Sequence, residues 1–156
     1  MVENLPNEAQ VYEWLANVPD PEIPVLSILD LGIVRNVTVD DKKDKVTVTL
    51  TPTYSGCPAT EVIETSVVLA LRERGVEEIK IERVLAPPWT TDWITDDGRE
   101  KLRNYGIAPP SRQNDIACPQ CKSSNTQRIS EFGSTACKAS WRCLDCLEPF
   151  EYFKCL

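Results

Sequence analysis

The sequence contains no histidine, and that absence removes much of ordinary enzyme chemistry. Without imidazole there is no Ser/His or Cys/His dyad, and every soft metal ligand must be a thiolate. No glycine-rich phosphate loop is present; there are six glycines in 156 residues. No apolar run is long enough to span a bilayer, and no secretory signal with an apolar core opens the chain, so a soluble protein of the reducing cytoplasm is expected. The seven cysteines are an odd number, which disfavours a disulfide framework. What remains, 42% hydrophobic and 26% charged residues, describes a globular protein with room for one ordinary domain and one small one.

Cys118, Cys121, Cys143 and Cys146 write C-P-Q-C and C-L-D-C, with 21 residues between the pairs. A two-residue gap lets both sulfurs of a knuckle reach one ion from a tight turn, and two knuckles complete a tetrahedron. The gap is slightly longer than the usual ~15–20 residues, which a longer ribbon hairpin absorbs. A closed structural zinc site is the leading expectation. A rubredoxin-like iron or a bound cluster also uses four thiolates. Cys137 and Cys155 lie nearby as packing residues or alternative ligands.

Charge separates the chain into two parts. Residues 111–156 carry six Lys/Arg and five Asp/Glu, leaving 11 basic and 19 acidic residues before them. An acidic first part repels phosphate backbones and a nearly neutral tail releases few counterions, so no nucleic-acid partner is expected. Pro109 and Pro110, followed by a polar run, mark the boundary. The expected domains are 1–108, a linker at 109–117, and a four-cysteine ribbon at 118–156. Ile129, Trp141, Phe150 and Phe153 are expected to pack around the ribbon strands.

The first domain reads as α-β-β-α-β-α. Asn7 caps a helix whose Val11, Trp14, Leu15 and Val18 share one face. Residues 33–40 and 46–50 alternate as a hairpin around a charged turn, a second helix spans 59–74 with Gly75 as its stop, a third strand covers 76–85, and Thr95 caps a last helix. This is an α+β fold with helices on one sheet face, followed by the ribbon. The open edge of a three-stranded sheet leaves a homodimer available.

Three loops are more specified than packing requires: Asp20-Pro21-Glu22-Ile23-Pro24, Thr53-Tyr54-Ser55-Gly56-Cys57-Pro58 and Pro87-Pro88-Trp89-Thr90-Thr91-Asp92-Trp93. Cys57 precedes Pro58 at a helix start, where free N–H groups favour a thiolate able to touch a soft metal or attack an electrophile. The blander reading makes Cys57 a small buried hydrophobe, Trp89 and Trp93 core aromatics, and Asp20 and Glu22 turn caps.

These loops, together with Leu29-Asp30-Leu31-Gly32-Ile33-Val34, resemble the small domain of iron-sulfur cluster assembly factors of the cytosolic targeting and SufT-like type. The resemblance runs in family order over about 105 residues. The whole chain is similar to the PaaD branch, the D component of the phenylacetyl-CoA ring-epoxidase gene set, whose four-cysteine tail matches segments 129–139 and 148–155. The resemblance implies a non-catalytic accessory role in aerobic phenylacetate catabolism. It places Cys57 as the reactive or metal-touching thiol, with Asp20, Glu22, Ser55, Thr90 and Asp92 around it. It implies a transient iron or iron-sulfur cargo beside the structural zinc, and the epoxidase reductase or oxygenase components as partners. A docking subunit, with Trp89 and Trp93 in its contact surface, is the competing reading.

Overall fold

The computed structural model describes residues 5–53, 58–111 and 115–155. Helix α1 (Glu8–Leu15) starts as expected: the Asn7 side chain accepts the Gln10 N–H and the Gln10 side chain accepts the Asn7 N–H, closing a capping box. Val11 and Leu15 form its buried stripe. Strands β1 (Val34–Asp40) and β2 (Lys45–Leu50) pair antiparallel across the charged turn. An extra residue at the start of β1, between Val34 and Asn36, makes a bulge at Arg35.

Helix α2 (Ala59–Glu73) buries Ala59, Ile63, Val67 and Leu71, a 3.6-residue stripe, and Gly75 follows with φ 89°. It returns the chain to β3 (Glu78–Arg83), which pairs parallel with β2. The sheet order is β1-β2-β3. Val46, Val48 and Leu50 alternate inward, and α1 packs on α2 and β1 while α2 packs on β3. Burying side chains of this size contributes about 1.5–3 kcal/mol each, which is what holds so small a sheet.

The chain divides into two compact units, Met1–Thr95 and Asp96–Leu156. Helix α3 (Asp96–Tyr105), read from sequence as the end of the first domain, therefore groups with the cysteine-rich part. It is followed by β4 (Ile107–Ala108), a short strand with no sequence signal. Strands β5 (Thr126–Ser130), β6 (Lys138–Cys143) and β7 (Pro149–Phe153) complete a sheet ordered β4-β7-β6-β5. Two residues of the expected linker are built into this unit: Ile116 is buried, its carbonyl accepts the Thr126 hydroxyl, and Arg99 donates to the Pro110 carbonyl at 2.9 Å.

Ala108, Ile116, Cys118, Ala139, Cys143, Phe150 and Tyr152 form the second core, with Trp141 packed edge-on to Tyr152. Phe150 and Phe153 are buried as expected, but Ile129 is 60% exposed. It is the extra residue of a second bulge, between Arg128 and Ser130, on an edge strand that buries none of its side chains.

Candidate functional site

The two cysteine pairs fold into knuckles of the same form. In each, the N–H of the first cysteine donates to the carbonyl five residues on: Cys118 to Ser123 at 2.8 Å and Cys143 to Glu148 at 3.0 Å. In each, the fourth residue after that cysteine is left-handed: Lys122 at φ 64° and Leu147 at φ 67°. The turn aims both sulfurs of a pair at one point. Pairing of Thr126 with Cys143 across β5 and β6 brings the knuckles together.

All four sulfurs lie within 4.8 Å of one another, with Cys118–Cys146 at 3.7 Å and Cys121–Cys143 at 3.5 Å. A tetrahedral zinc with Zn–S bonds of ~2.3 Å spaces its sulfurs by about 3.8 Å. The set thus fits one ion, and it is too tight to surround a multi-iron cluster. Cys118 and Cys143 are buried and Cys121 and Cys146 exposed, so the site has a closed inner and an open outer side.

Local groups split the thiols. Cys143 is lowered to about 7, chiefly because its sulfur accepts the Cys146 N–H at 3.5 Å. For Cys146 the largest influence, the Glu148 N–H, favours the thiolate, but burial and the three neighbouring thiols outweigh it and push it to about 12. Cys121 is likewise raised: the Ser123 N–H favours its thiolate, and the Cys143 thiol and burial prevail. Four negative sulfurs cannot coexist at these distances without a cation. Cys137 is buried beside the Thr135 hydroxyl and Cys155 is exposed, both outside the four-sulfur group.

In the first unit, Asp20 is buried, and its Oδ1 accepts the N–H groups of Glu22 at 2.9 Å and Ile23 at 2.8 Å. It shapes the turn as an Asx cap. Asp20 and Glu22 line a cavity of about 20 Å³ with Pro52, Thr53, Thr60 and Arg83. The acidic turn therefore meets residues on both sides of 54–57. Ser55 and Cys57 lie outside the described residues. Arg83 and Thr60 carry no motif signal; they reach this place through the parallel pairing of Leu50 with Arg83 and the first turn of α2.

The third loop does not line that cavity. Trp89 is buried, and its indole N–H donates to the Leu31 carbonyl at 2.7 Å, so it is a core anchor and not a contact platform. Thr90 caps the short 3-10 turn Thr91–Trp93 by accepting the Asp92 N–H, and Asp92 is exposed. Arg35, projected by the β1 bulge, lies 3.8 Å over the Trp93 ring. Gly32, at φ 71°, lets Trp93 close against it: a Cβ there would stand 2.5 Å from the Trp93 carbonyl oxygen. The third loop is thus braced on the segment 31–35.

Among the described residues no helix is long and apolar enough to cross a membrane. Residues 8–85 match the iron-sulfur cluster assembly protein family, and residues 105–154 match the PaaD zinc β-ribbon domain. An Escherichia coli K12 protein, named as the D component of a "Putative 1,2-phenylacetyl-CoA epoxidase", is 48% identical over 97% of this chain and 94% of its own. An Fe-S protein maturation auxiliary factor of Porphyromonas gingivalis is 36% identical over 64% of this chain and 94% of its own. Among solved structures, a domain of unknown function, DUF59, from Bacillus anthracis superposes with a TM-score of 0.56 at 32% identity, covering 61% of this chain and 90% of that one. The chain therefore belongs to the PaaD family, with an iron-sulfur cluster assembly domain followed by a PaaD zinc β-ribbon.

Proposed function

We propose that this protein is a non-catalytic accessory factor of a phenylacetyl-CoA epoxidase system, and that it matures or inserts the iron-sulfur cluster of a partner, the epoxidase reductase. The observation that carries the reading is the joining, in one chain, of an iron-sulfur assembly domain to a ribbon shared over nearly full length with the epoxidase relative. Asp20 and Glu22, converging on the residues that flank 54–57, support a cargo site there. Cys57 is its transient ligand. A lone thiolate beside acids binds weakly enough to hand iron or a cluster on.

Cys118, Cys121, Cys143 and Cys146 hold one structural zinc, whose chemistry is to fix the second unit and not to activate water. The protein works in the cytoplasm. A second reading, docking without metal transfer, is favoured by one observation: Ile129, Phe132, Leu144 and Leu147 are exposed on the second unit. Anaerobic cluster transfer to apo reductase separates the two. Under the assembly reading Cys57→Ala abolishes transfer and keeps binding. Transfer at the wild-type rate by Cys57→Ala sinks that reading and leaves docking.

A further inference from the structure

We propose that Asp145 is a positioning residue that clasps the two cysteine knuckles and sets how long the ion stays bound. The inference rests on the reading that the four thiolates hold one ion. Asp145 sits between the ligands Cys143 and Cys146, and its carboxylate bonds to residues just beyond the other pair. One oxygen accepts the Ser123 hydroxyl and the other accepts the Asn125 side-chain amide at 3.0 Å, across 22 and 20 residues of sequence.

These partners are part of the opposite knuckle. The Ser123 carbonyl accepts the Cys118 N–H at 2.8 Å, and the Ser123 hydroxyl accepts the Asn125 N–H at 3.0 Å. The Leu144 N–H closes the loop on the Asn125 carbonyl at 2.9 Å. A chain of hydrogen bonds thus runs from between the second pair of sulfurs to the backbone of the first cysteine. Cys118 and Cys143 are held from below by the buried core, whereas Cys121 and Cys146 are exposed. An ion leaves most readily by parting the exposed pair, and Asp145 with Ser123, each next to or within two residues of those cysteines, ties that side.

The clasp has a second effect. A carboxylate between two thiolates is a competing hard ligand, and engaging both its oxygens with donors keeps the site all-sulfur. Outer partners of this kind are worth about 10–100-fold in metal affinity.

The test uses the full chain loaded with Zn²⁺ and mixed with excess chromophoric chelator, and in parallel the Co²⁺-loaded chain, whose thiolate-to-cobalt absorption reports four-sulfur coordination. Asp145→Ala should release zinc at least about tenfold faster while keeping the four-sulfur cobalt spectrum. Asp145→Asn, which retains an acceptor oxygen, should recover part of the loss. Ser123→Ala should quicken release similarly, and combining it with Asp145→Ala should add little. Asp115→Asn removes an exposed charge of the same unit without touching the clasp or either knuckle and should release as wild type does. Wild-type release from Asp145→Ala overturns the proposal, as do additive effects of the two substitutions or equal acceleration by Asp115→Asn. A wild-type chain without the cobalt-thiolate band overturns the one-ion reading itself, and the clasp with it.

Discussion

Replacing Gly32 by alanine tests the bracing of the third loop, through Trp93, in the first unit. The residue sits at φ 71°, where an L side chain costs about 1–2 kcal/mol. The new Cβ would also meet the Trp93 carbonyl oxygen at 2.5 Å and the Trp93 Cβ at 2.8 Å, both fixed by the backbone. Relieving that overlap by moving the loop costs about 1–3 kcal/mol more, as overpacking generally does. The sum, about 3 kcal/mol, is a large share of the ~5–15 kcal/mol that holds an ordinary domain. For a unit of this size it lowers Tm by roughly 12–24 °C, at ~4–8 °C per kcal/mol. Urea unfolding followed by tryptophan fluorescence reads the effect, because Trp14, Trp89 and Trp93 all lie in this unit. Gly106→Ala, in the second unit whose unfolding Trp141 follows, is the control: φ is 91°, but a Cβ there meets only the Gln120 side chain at 3.9 Å, so only the backbone cost of about 1–2 kcal/mol is expected. If Gly32→Ala is no more destabilising than Gly106→Ala, the steric account of the Gly32–Trp93 contact is refuted.

Three further outcomes concern the metal-binding unit. Cys121→Ala should abolish zinc retention and melt the second unit while the far-ultraviolet signal of the first persists; loss of both in one transition would contradict the two-unit reading. Leu147→Gly should stabilise the metal-loaded form by about 0.5–1 kcal/mol, because Leu147 is exposed and held at φ 67°, and unchanged or lower stability in thermal melts counts against strain there. Zinc affinity should rise with pH: Cys121 and Cys146, both raised in the metal-free form, must lose protons on binding, whereas Cys143 at about 7 already has. The raised values favour the metal-free form below the ordinary thiol range and are lost as pH climbs, so competition titration should show at least about 100-fold per pH unit above 7.

Local features of the fold are legible in the sequence and crossing features are not. The Asn7 box, the α2 stripe and the paired cysteines are each written within a few residues, and each is found where the spacing puts it. Both departures in the strands are bulges: an extra residue at Arg35 and another at Ile129 break the two-residue period, and alternation alone cannot show that a residue has been inserted. Trp89 reads equally well as a core or a contact aromatic, because the acceptor that decides between them, the Leu31 carbonyl, lies 58 residues away. Arg83 and Thr60 beside the acidic turn, and Ser123 and Asn125 beside Asp145, are likewise visible only once nonlocal pairing is known.

The parallel pairing of Ile107 and Ala108 with Glu151 and Tyr152 bears on how this protein can be cut. The sheet of the second unit is finished by residues that precede its first metal ligand. A fragment beginning at Cys118 would leave β7 with a bare row of N–H and C=O groups, a surface that recruits other strands and drives self-association. A fragment beginning at Asp96 keeps that row covered and should stay monodisperse.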